Sequence, residues 1–153
     1  MNLERLRRAI VGLVLVCCIS AAAQDKGNWR AASSTAKSTT GDIALFDEKV
    51  AISFSTFTVA RIRNLDQGEV SAVLDVDSSA GGSGSLYRLN IPAAKKFLHK
   101  NSLCGSEDTE WMVTYVSGRS LQLAFFSGQK QPVFTLEAIS NSTDMCGTFA
   151  YVR

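Results

Sequence analysis

Apolar residues in this chain come in runs of strand length with a period of two, and turn formers cut the runs apart. Val50, Ile52 and Phe54 alternate with small residues. At Phe57 and Val59 the apolar positions move from even to odd, which predicts a bulge or tight turn near Ser55-Thr56. After a turn over 64–68, Val70, Ala72, Leu74 and Val76 alternate with Ser71, Val73, Asp75 and Asp77. Similar runs cover 41–46, 86–91, 111–117, 121–127, 133–139 and 147–152, with Asp47-Glu48-Lys49, Gly118, Gly128 and Pro132 between them. Residues 78–85, rich in Ser and Gly, read as an exposed hairpin loop.

This pattern predicts a mainly β fold of eight to nine antiparallel strands, a small barrel or, as the alternative, a β-sandwich. A barrel closed by its last strand on its first has no open edges, and that arrangement is favoured. One short helix is expected near 92–100. Pro92 is tolerated in a first helical turn, Ile91, Ala94, Phe97 and Leu98 share a face, and Lys95, Lys96, His99 and Lys100 lie largely away from it.

The first 23 residues have the layout of a cleavable secretory signal peptide. Arg5, Arg7 and Arg8 precede an apolar stretch from Ala9 to Ala23 that is too short for an ordinary membrane-spanning helix. Ala21 and Ala23 supply the small side chains that signal peptidase accepts, which places the cut before Gln24. Val16 before Cys17 argues against a lipoprotein signal. A mature chain of roughly 130 residues suits one β-rich domain, 24–153, in the periplasm or outside the cell, with no transmembrane segment after processing.

The formal charge of +2 resides in the leader, where Glu4 offsets one of the three arginines, so the mature part is balanced. Nucleic acid is a poor partner for such a domain. Processing also removes Cys17 and Cys18. Cys104 and Cys146 remain, and in an oxidising compartment they are expected to form a disulfide.

Several short patterns approach known chemistry and stop short. Asp75, Asp77 and Ser79 have the opening spacing of a calcium loop, but Ala80 stands where glycine is required and Leu86 where a bidentate Glu is required. Gly81, Gly82 and Gly84 precede a strand, whereas phosphate-cradling loops precede a helix. His99 is the sole imidazole, and a catalytic base there is the weakest of the functional readings. Glu107, Asp108 and Glu110 read as solvated charge. Lys95, Lys96 and Lys100 could meet anionic headgroups or a polyanion, but the exposed side of a packed helix explains them better. Trp29 and Trp111 fit core packing better than ligand stacking, with Trp29 pinning the first strand. Asn141-Ser-Thr143 is an N-glycosylation sequon. No cofactor or metal is implied.

The segments Trp29, Ser34-Thr-Ala36, Thr40-Gly-Asp-Ile43, Leu86-Tyr-Arg88, Leu103-Cys-Gly105, Trp111-Met112, Phe126-Ser-Gly128 and Cys146-Gly-Thr-Phe149 form a series. In that series the chain resembles a group of small exported bacterial proteins of uncharacterised function, and the resemblance implies that Cys104 and Cys146 recur together. In architecture it is more loosely similar to exported bacterial metalloproteinase inhibitors, β-barrels that insert an N-terminal arm into the protease cleft. That similarity would give Gln24 to Asn28 the role of the arm. The expected function is a non-catalytic binding or interaction domain for a small ligand or a protein, with a protease inhibitor acting through 24–28, or an enzyme using His99, as alternatives.

Overall fold

In a computed structural model, which describes residues 25–153, eight antiparallel strands close into a barrel in sequence order. The strands are β1 (Gly27–Ala31), β2 (Ile43–Leu45), β3 (Lys49–Ile52), β4 (Ser55–Leu65), β5 (Ser83–Ile91), β6 (Thr109–Ser117), β7 (Ser120–Phe126) and β8 (Met145–Val152). Among the described residues three short α-helices accompany them: α1 (Ser34–Thr39), α2 (Gln67–Leu74) and α3 (Leu136–Ser140). The seam is β1 against β8, where Arg30 pairs with Val152 and Ala31 with Tyr151. The expected leader 1–23, with Ala21 and Ala23, and Gln24 after it lie outside the described residues.

Two apolar clusters hold this shell from opposite sides. Inside the barrel, Trp29, Ile52, Tyr87, Met112, Leu121, Leu123, Phe125 and Tyr151 pack together. Outside it, Leu86, Trp111, Val113, Tyr115 and Phe126 are covered by Val70, Val73 and Leu74 of α2 and by Phe134 before α3. Strand β6 is therefore buried on both faces from Thr109 to Val116, which explains why its apolar run barely alternates.

Two of these helices, α2 and α3, fall on runs whose alternation predicts strands. The run 70–76 is α2, because Val70, Val73 and Leu74 also stand at i, i+3 and i+4. Asp66 settles the choice with a capping box: its carboxylate accepts the Glu69 amide at 2.8 Å, and the Glu69 carboxylate accepts the Asp66 amide at 3.0 Å. The run 133–139 is broken in the same way by Thr135, whose hydroxyl caps α3. Because 67–74 is helical, the Ser/Gly-rich segment joins α2 to β5 rather than closing a hairpin, and its end is tightly packed. A Cβ on Gly84 would come within 2.4 Å of Val70 Cγ2.

The helix expected near 92–100 does not form. The Lys95 amide reaches Pro92 in one turn, and the chain then leaves helical geometry, with a single 3-10 turn at Leu98–Lys100 interrupted at His99. Tertiary anchors win over the helical spacing. Phe97 turns inward to meet Phe57 edge-on at 6.1 Å, and Leu103 is buried beside it in the interior cluster. The Ala93 amide is held by Asp108 at 2.8 Å. Cys104 is bonded to Cys146 across a Cα–Cα distance of 4.9 Å, fixing the segment to the start of β8.

Candidate functional site

Backbone strain picks out one end of the barrel. Among the described residues, five that are not glycine have positive φ: Ser53, Phe54, Asp75, His99 and Lys100. Asp75 is accounted for as the left-handed C-cap of α2. The other four form two turns beside a single groove.

The first turn is the two-residue β3–β4 connection, closed by the Ile52–Ser55 pair, with φ of 47° at Ser53 and 67° at Phe54. Both values belong to a type I′ hairpin, which the strand twist demands and which Asn-Gly ordinarily fills. This is the parity break seen between Phe54 and Phe57, placed two residues earlier than expected. Phe54, read from sequence as a strand residue, is instead the turn's tip and is wholly exposed at 107%. A left-handed residue with a bulky side chain costs about 1–2 kcal/mol. The tip is nevertheless fixed: Ser53 Oγ donates to the Thr40 carbonyl at 2.7 Å, and Thr40 Oγ1 bonds the Tyr151 hydroxyl at 2.6 Å.

The second turn carries Leu98, His99 and Lys100, with φ of 54° at His99 and 60° at Lys100. It leans on α1, where Asn101 Nδ2 donates to the Ser38 carbonyl at 3.0 Å. Gly41 makes the fit, since a Cβ there would lie 3.0 Å from Leu98 Cδ1 and its φ is +62°. Between the two turns runs an open groove of about 690 Å³, lined by Arg30, Gly41, Ala44, Ala51, Phe54 and Leu98 among others. Its floor is built of small outward-facing residues of β2 and β3, paired Ala44 to Ala51.

The residues singled out from sequence are scattered. His99 is exposed on the second turn, and among the described residues no group of three or more His, Cys, Asp or Glu could hold a metal. Asp77 closes a local turn by accepting the Ser79 amide and hydroxyl, and these bonds hold its carboxyl below the usual range. Glu110, expected in solvent, is 8% exposed and ion-paired with Arg88, whose guanidinium lies 4.5 Å from the Trp111 ring centroid. Trp29 and Trp111 are both core residues. Asn141 is exposed at the end of α3, and its Nδ2 donates to the Glu137 carbonyl.

Residues 25–28 of the expected arm are docked in the fold. Asp25 Oδ2 accepts from the Tyr87 hydroxyl at 2.5 Å and from Thr114 Oγ1 at 3.2 Å, and its carbonyl accepts Trp29 Nε1 at 2.8 Å. Burial, with Asp25 as the second cause, pushes the Tyr87 phenol well above the usual tyrosine value. A second groove lies between α2 and α3, and two of its acidic groups already serve the fold: Asp66 caps α2 and Glu69 pairs with Arg63.

Fold and rim together define an eight-stranded barrel with an apolar, packed interior and a strained, aromatic-tipped groove at one end. No protein family, curated protein or solved structure matches the chain.

Proposed function

We propose that this is an exported, non-catalytic binding domain that recognises its partner with its outer surface rather than enclosing a ligand. The supporting observation is the filled interior. Trp29, Val50, Ile52, Met112, Leu121, Leu123, Phe125 and Tyr151 are each at most 1% exposed and meet in one cluster. Barrels that carry ligands keep some hundreds of Å³ open at that place. The strained groove supplies an exterior site in its stead. Export is supported by the leader pattern and by the Cys104–Cys146 bond, which persists in an oxidising compartment.

Native mass spectrometry of the protein purified from its producing cell tests the reading. The expected mass is that of the processed, oxidised polypeptide alone. A stoichiometric small molecule that survives purification and is released on unfolding would refute it.

A further inference from the structure

We infer that the groove end of the barrel docks on an anionic lipid surface, with Phe54 as the inserted side chain and Arg30, Lys37, Lys96 and Lys100 facing headgroup phosphates. This rests on the outer-surface reading above and names the partner.

Phe54 breaks two local rules at once. It places a phenyl ring wholly in water, and it does so in a left-handed conformation that glycine or asparagine would adopt at lower cost. Such strain is kept where function uses it. The Ser53–Thr40 bond and the Thr40–Tyr151 bond beneath it hold the tip in place, so the ring is presented ready for an apolar phase. Leu98, on the opposite wall, offers a second apolar contact.

Charge identifies that phase. Arg30 lines the groove, Lys37 sits in the last turn of α1, and Lys96 and Lys100 flank Leu98; all four are exposed. Half-buried Lys95 and exposed His99 lie in the same segment. The carboxylates facing this region are Asp42, Glu107 and Asp108. Asp42 and Asp108 accept from the backbone amides of Ala31 and Ala93, and the rim is basic by count, since the cations Arg30, Lys37, Lys95, Lys96 and Lys100 outnumber these three carboxylates. An exposed aromatic side chain at a turn tip, with Arg30 on the same groove and lysines on the segments beside it, is the arrangement of an interfacial anchor. A protein hot spot sits instead inside a packed apolar patch.

Vesicle sedimentation with the processed, oxidised chain is the test, comparing phosphatidylglycerol/phosphatidylcholine vesicles with phosphatidylcholine alone. Partition onto the anionic vesicles is expected, falling about tenfold or more in Phe54→Gly and about fivefold in Lys100→Gln. Phe54→Trp should retain binding, with a blue shift in emission on the vesicles. Phe54→Gly relieves the turn, so a melting temperature at or above the parent's excludes unfolding as the cause of its loss. Absence of partition, equal partition onto both vesicle types, or unchanged partition of Phe54→Gly would overturn the lipid assignment. If native mass spectrometry still shows a ligand-free protein, only this assignment falls; a co-purified small molecule instead defeats the outer-surface reading.

Discussion

Two buried phenols set how the protein should respond to alkali. Tyr87 and Tyr151 are 5% and 1% exposed, and burial raises both above the ordinary tyrosine value of 10.0. A raised acid keeps its proton longer in the folded state than in the unfolded one. The associated stability is therefore whole below pH 10 and declines as the unfolded chain ionises above it, by up to about 1.4 kcal/mol per pH unit for each tyrosine. Urea midpoints measured from pH 9 to 11.5 should fall along that course, and Tyr87→Phe should make the decline shallower; an unaltered slope would remove Tyr87 from the account. Phe54→Gly should raise stability by about 1 kcal/mol through relief of the left-handed strain, read as an upward shift of the thermal midpoint. At this scale the sequence was informative about Trp29 and silent about Phe54. An indole in a polar stretch has one energetic use, namely burial, whereas a phenylalanine after Val50 and Ile52 continues the strand pattern perfectly well. Only the I′ turn, which depends on pairing across the hairpin, throws its ring outward.

Elements that changed identity did so because one apolar pattern served two periods. Val70, Leu74 and Val76 alternate, yet Val70, Val73 and Leu74 also make a helical stripe, and the overlooked evidence was the Asp66-Gln-Gly-Glu69 box before them. Losing that cap by Asp66→Ala should cost about 1 kcal/mol in urea unfolding. Gly84 lies where α2 presses on β5, so Gly84→Ala should cost more, about 1–3 kcal/mol, by forcing Val70 and Leu65 aside; a neutral result would mean that α2 packs loosely. The segment 92–100 erred in the other direction. Its helical spacing was real, but Phe97 is drawn to Phe57, and long-range anchors of this kind leave no mark in a local window.

For the molecule as a whole, the barrel and the disulfide were legible in the sequence, because strand length, turn spacing and the two cysteines outside the expected leader are properties of the chain alone. The rim was not, since it assembles from residues near 30, 40, 54 and 98 that only closure brings together. Reduction of Cys104–Cys146 should lower stability by about 3–4 kcal/mol, the loop-closure value for a bridge of this span, measured as the difference between urea curves with and without reductant. Indifference to reductant would show that the 92–107 segment needs no covalent tie.

The seam at Arg30–Val152 and Ala31–Tyr151 also fixes an order of events. A chain delivered amino end first can pair β1 with β2 early, but the other edge of β1 stays open until β8 is available, so the hoop of hydrogen bonds closes last at this seam.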